Sequence, residues 1–138
     1  MPTSIREQLL AAISTAVGGV YDLPIPADES ELPWSSVKDI QEEASDDDYG
    51  HTTIVMEVVI GKGAVADSRD RDALRAQGNE LLASIIQDMG TDETFGSLAE
   101  KCGYAGGVVQ AELGAMCLVA ATFNVTYSTV RGDPYTIV

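Results

Sequence analysis

The chain has 138 residues, 45% of them apolar, and its 22 acids against 8 bases leave a net charge of −14. That length suits one domain spanning 1–138, able to bury about 65–70% of the surface its unfolded chain would expose, and the apolar share argues against disorder. The charge disfavours nucleic-acid phosphates and anionic membrane as partners, because both bind through Lys and Arg. No stretch reaches the roughly 18 uninterrupted apolar residues of a membrane span.

Met1-Pro2-Thr3-Ser4-Ile5-Arg6-Glu7 carries an acid early and lacks an apolar core, so no export signal is expected. Ser4 and Glu7 have the spacing of a capping box, in which the hydroxyl satisfies an orphan N–H and the carboxylate reaches back. A helix follows, with Ile5, Leu9, Ala12, Ile13, Ala16 and Val17 on one face and Gly18-Gly19 as its stop. Residues 20–33 read as irregular and wet, broken by Pro24, Pro26 and Pro33. Trp34 to Glu42 reads as a strand, with Trp34, Ser36, Lys38 and Ile40 opposite Val37, and Ser45 to Asp48 as a charged turn.

His51 to Ile60 alternates most clearly. Ile54, Met56, Val58 and Ile60 form one face, and Thr53, Val55, Glu57 and Val59 form a half-apolar second face that asks for cover by a helix or another chain. Gly61-Lys62-Gly63 opens an expected loop to Asp67. A long helix is predicted from Ser68 to Met89, with a stripe of Leu74, Gly78, Leu81, Leu82, Ile85, Ile86 and Met89, Asp70 and Asp72 near its N-terminus, and Gly90 as its cap. Thr94 to Glu100 reads as a helical turn, and Tyr104 to Glu112 as a strand weakened by Gly106-Gly107. After a break at Gly114, Met116 to Thr129 alternates, with Val119, Ala121, Phe123, Val125 and Tyr127 on one face. Residues 130–138 are expected to be an extended C-terminal arm. The fold class is α+β: a mostly antiparallel sheet of about four strands packed against two main helices.

Cys102 and Cys117 make neither a disulfide framework nor a zinc set, and reduced, cytosolic thiols are the default. His51 is the sole histidine, so a transition-metal site is not expected. His51 beside Asp46, Asp47 and Asp48 reads as a surface histidine rather than an acid–base pair. Cys117 lies in an apolar strand, and nothing near Cys102 would activate it. Gly61-Lys62-Gly63 lacks the remaining positions of a phosphate loop. The run from Glu42 to Asp48 could attract Ca²⁺ or Mg²⁺, but without EF-hand spacing a solvated turn is the better reading. No catalytic residue, metal ligand or cofactor site is assigned, and no enzyme activity is expected. Trp34, Tyr127 and Tyr135 fit either a core or an interface role, since Trp and Tyr are enriched at hot spots.

The arrangement is nonetheless familiar. An amphipathic helix (Ser4 to Ile13) is followed by a proline-led strand, Leu32-Pro33-Trp34-Ser35-Ser36-Val37, and an acidic stretch. Then come Thr52-Thr53-Ile54-Val55-Met56-Glu57-Val58, a long helix, Thr91-Asp92-Glu93-Thr94-Phe95-Gly96-Ser97-Leu98, and a closing Phe123-Asn124-Val125-Thr126-Tyr127. Over nearly its whole length the chain resembles the tail terminator proteins of long-tailed bacteriophages, the lambda-type minor tail protein U family. The resemblance implies a virion protein at the tail–head junction, assembled in the host bacterial cytoplasm. It implies a homo-hexameric ring that caps the tail tube, ends tube polymerisation and offers a surface for head joining. The implied partners are further copies of itself, the tail tube protein and a head–tail connector or head-completion protein, with DNA only as cargo, no membrane and no cofactor. Another head–tail joint protein, such as a neck adaptor, and an acidic cytosolic binding module are the alternatives. The candidate interface residues are Trp34, Asp46, Asp47, Asp48, Val55, Val59, Lys62, Tyr127, Arg131 and Tyr135.

Overall fold

The computed structural model describes residues 3–111 and 116–138; the expected break at Gly114 and the expected strand end at Glu112 lie outside them. The first helix, α1 (Ile5–Val17), starts where expected: the Ser4 side chain accepts a hydrogen bond from the Glu7 N–H, and Gly18 closes it in the left-handed conformation. Leu10 joins Ile5, Leu9, Ile13 and Val17 on the buried face, while Ala16 stays outside. Packing prefers the larger side chain where two positions compete for the rim of a stripe.

Two short elements interrupt the segment read as irregular: β1 (Val20–Tyr21) and a 3-10 turn over Glu29–Glu31. Two long strands follow, β2 (Trp34–Asp46) and β3 (His51–Val65), forming an antiparallel hairpin. Both outrun their expected ends. The charged residues Ser45 and Asp46 belong to β2, and the turn itself is 47–50. A register shift between Asp39 and Gln41 leaves Ile40 exposed, because a bulge resets the alternation of the strand.

Gly61-Lys62-Gly63 is strand rather than loop. The two glycines serve close packing: a Cβ on Gly61 would lie 2.4 Å from Trp34 Cη2, and one on Gly63 would lie 2.5 Å from Leu118 Cδ2. The second helix, α2 (Arg71–Gly90), is capped by Asp70, whose carboxylate accepts from the Ala73 N–H at 3.2 Å. Gly90 is its last helical residue rather than its cap. A turn replaces the expected helical piece. Asp92 accepts there from the Thr94 and Gly96 N–H groups, and Phe95 and Ser97 adopt positive φ, which delivers Phe95 and Ala99 to the core.

The chain finishes with β4 (Lys101–Ala111), β5 (Met116–Val130) and β6 (Asp133–Ile137). Among the described residues the sheet has six strands in the order β1-β2-β3-β5-β4, with β6 pairing β5 off that path. The expectation of about four antiparallel strands is corrected to a six-stranded mixed sheet with two helices. The four long strands are antiparallel; β1 adds a parallel pair with β2, and β6 folds back on the end of β5. Neither added strand has a periodicity of its own. β1 is two residues long and β6 contains Pro134, so only their partners define them. The segment expected as an extended arm is thus extended and hydrogen-bonded to β5.

Both helices lie on one face of the sheet. Leu9, Ile13 and Ile85 meet Val37, Met56, Val58, Ile60, Phe123 and Val125 in one core. No described helix is long and apolar enough to cross a membrane.

Candidate assembly surface

Strand register assigns the paired residues of the long strands to a face. Residues directly opposite in an antiparallel pair point the same way, so the row Glu43–Val55–Thr126–Lys101 crosses β2, β3, β5 and β4 on one face. Two further rows on that face are Lys38–Val59–Thr122–Gly106 and Ser36–Gly61–Ala120–Val108. None of these residues is on the helix side. At one end the Trp34 ring lies over Gly61 and Gly63, and its indole N–H donates to the Leu23 carbonyl at 3.3 Å.

The surface is chemically unlike the rest of the protein. Its cross-strand rows carry Glu43, Glu57, Lys38 and Lys101 among Val, Thr, Ser, Gly and Ala, and Gln41 Nε2 donates to Glu57 Oε2 at 2.8 Å. Val108 is 63% exposed and Val55 37%. Ser36, Thr126 and Ser128 are buried, with the Thr53 and Ser128 hydroxyls 3.2 Å apart and Ser128 donating to Glu100.

The hairpin tip forms a second cluster. The Asp47 carboxylate accepts from the backbone N–H groups of Tyr49 at 2.8 Å and His51 at 2.9 Å, and those hydrogen bonds, the His51 one foremost, hold its pKa below the ordinary carboxylate value. The Arg131 guanidinium donates to the Asp47 carbonyl and lies 3.7 Å from Asp46 Oδ2. His51 Nδ1 is 3.3 Å from Asp47. Asp46 also accepts from the Thr52 hydroxyl at 2.6 Å, while Asp48 remains exposed. The tip is a self-satisfied turn stapled to the end of β5.

The expected interface residues therefore separate into groups. Trp34, Val55 and Val59 share the helix-free face, and Asp46, Asp47, Asp48 and Arg131 meet at the tip. Tyr135 is exposed on β6. Lys62 faces the helices, with Nζ 3.3 Å from Asp88 of α2. Tyr127 is a correction: at 2% exposure it belongs to the core, and burial, then the Glu42 charge, push its phenol up to about 12. Its strand position opposite Ile54 puts it on the helix side, which alternation alone already implied.

Both thiols are held above the ordinary thiol value. Burial first, then the charge of Glu93, pushes Cys102 up to about 11, and burial raises Cys117, whose sulfur lies 3.9 Å from the Leu74 carbonyl. Among the described residues, no group of three or more His, Cys, Asp or Glu side chains is placed to hold a metal ion.

Sequence reasoning missed two features. Arg6 of α1 pairs with Asp39 and, at 3.5 Å, with Glu42, while the Tyr21 hydroxyl also donates to Asp39. Arg6 and Lys38 are the only bases in the first fifty residues, and that scarcity was the available signal. The second feature is an exposed apolar run beside β1, in which Val20, Tyr21, Leu23 and Ile25 all face outward and Ile25 is 70% exposed. Prolines and acids in the same segment concealed it.

Comparison with known proteins finds no matching family model and no match among curated proteins. Among solved structures, the chain is similar to one described as the virion of a native gene transfer agent particle. The two share 16% identity and a TM-score of 0.39, over 89% of this chain and 90% of that one.

Proposed function

We propose that this chain is a structural subunit of a phage-type virion, one that assembles as a ring on the finished end of the tail tube, stops tube growth and presents the tail-side surface for head joining. The observation that carries the reading is the asymmetry of the sheet. Both helices cover one face, and the other carries Val, Thr, Gly and Ala with Glu43 and Glu57 balanced by Lys38 and Lys101, on a protein of net charge −14. Such a surface gains from cover by neighbours. The element order from the capped first helix to the closing aromatic strand, which resembles the tail terminators, supports it. A net acidic subunit also suits a conduit for DNA, because it repels the cargo it passes. The role is structural, and the two thiols, both pushed up by their surroundings, fit that better than nucleophilic chemistry.

The test is removal of this chain from the particle it serves. Overlong tail tubes are expected. Tubes of normal length with leaking heads would overturn the terminator reading in favour of a head-completion or neck-adaptor role. Light scattering on the purified chain, with and without Mg²⁺, should give a discrete hexamer mass. A strict monomer that captures a basic protein would favour an acidic binding module.

A further inference from the structure

We infer that copies of this chain join edge to edge: the outer edge of Lys101–Gly106 of β4 in one copy pairs antiparallel with the outer edge of Lys38–Glu43 of β2 in the next, bringing Lys101 against Glu43 of the neighbouring copy. This deepens the ring reading and rests on it only for the number of copies.

Three observations carry the pairing. The first is availability. The path β1-β2-β3-β5-β4 ends at β4, and β1 covers β2 only at Ser36 and Val37, so both edges present unpaired backbone among the described residues. An exposed edge is a template for another strand. The second is direction. Four long strands alternate from β2 to β4, and four is an even number. A copy set alongside in the same orientation therefore continues the alternation, with helices on the same side, and the contact is head-to-tail, as a ring requires.

The third observation is charge in register. Glu43 and Lys101 occupy the two ends of one cross-strand row, Glu43–Val55–Thr126–Lys101. A neighbour placed flush puts its own Glu43 directly opposite Lys101, where an opposite-charge pair is favourable. β4 contains no carboxylate, whereas this part of β2 holds Asp39, Glu42 and Glu43. Two β2 edges would set like charges together. Two β4 edges would close a dimer and leave both β2 edges open. Each edge carries one bulge, between Tyr104 and Gly106 and between Asp39 and Gln41, which narrows the registers that fit.

The experiment is a charge swap read by native mass and light scattering on the full chain. Lys101→Glu and Glu43→Lys are each expected to weaken association at least tenfold, and the double variant to restore it. Both sites are exposed, so the far-ultraviolet circular dichroism spectrum should stay unchanged, and melting should fall only as far as the lost association accounts for. A second arm uses Lys101→Cys with Glu43→Cys on a Cys102→Ala background, since opposed positions come within disulfide reach. Oxidation should give a ladder of covalent multimers only when both cysteines are present. Dimers from Lys101→Cys alone would overturn the pairing in favour of a two-fold β4 contact. Singles that associate like the parent, or a parent chain monomeric at every concentration, would also overturn it. A ring that forms with no cross-link would overturn the edge contact and leave the ring standing, whereas normal tube length without this chain would overturn the function and leave the contact.

Discussion

The two faces of the sheet are drawn from the same strands, yet they solve different problems. On the helix side, Met56, Val58 and Ile60 of β3 stand beside Val125, Phe123 and Ala121 of β5, and all six are buried under α1 and α2. One residue along, Val55, Glu57 and Val59 stand beside Thr126, Asn124 and Thr122, with no helix over them. The first set holds the fold together, because each large apolar side chain removed from water contributes about 1.5–3 kcal/mol. The second set tolerates water and keeps enough apolar area to gain from a neighbour. The difference shows that one period-two strand can specify a core and a contact surface at once, provided all the helices go to one side.

The largest losses are expected on the helix side. Phe123→Ala should cost about 3–5 kcal/mol in urea unfolding, and Ile13→Ala about 2–5, because both leave a cavity in the shared core. At the end of the helix-free face, Gly61→Val should cost about 1–3 kcal/mol by driving a side chain into the Trp34 ring, seen as a shift in tryptophan fluorescence. Adding Trp34→Ala to that variant should recover part of the loss, which would locate the strain in that one contact. A capping change is smaller and global: Asp70→Ala should cost about 1 kcal/mol, read from the same unfolding curve. Val55→Thr with Val108→Thr should move unfolding by less than about 0.5 kcal/mol on the same curve, because both side chains are exposed and no helix covers them.

Alkaline pH offers a further handle on the core. The Tyr127 phenol ionises near 10 when the chain is unfolded and at about 12 when folded. Between those values the unfolded state releases a proton that the folded state keeps, so stability falls as pH rises from about 10 to about 12. Tyr127→Phe should flatten that limb in pH-dependent melting. Asp39 carries the opposite sign. The Tyr21 hydroxyl first, and Arg6, hold its pKa below the ordinary value. Its contribution is present above about pH 4 and is lost as pH falls through the lowered value, so Asp39→Asn should soften the acid limb.

Much of this was legible in the residues. Ser4 and Gly18 bound the first helix, and the alternation from Ile54 to Ile60 and from Val119 to Tyr127 named the helix-side core. The half-apolar second face of the His51–Ile60 strand was readable as a surface wanting cover. Local rules misled where a residue served a distant partner. Gly61 and Gly63 read as loop because glycine is a common breaker, whereas they clear space for Trp34 and Leu118. Lys62 read as a contact residue, whereas Asp88 on α2 holds it.

The amino-acid sequence by itself determined the two helices, the four long strands, the core stripes and the uneven placement of charge. These depend on spacing along the chain, which periodicity exposes directly. Only the tertiary structure decided that β1 and β6 join the sheet, that Lys101 and Glu43 end the same row, and that both helices take one face. Each of those is a relation between strands far apart in the chain. It is settled by the shared requirement to bury one apolar surface and pair every backbone group, and no local pattern encodes which partner satisfies it.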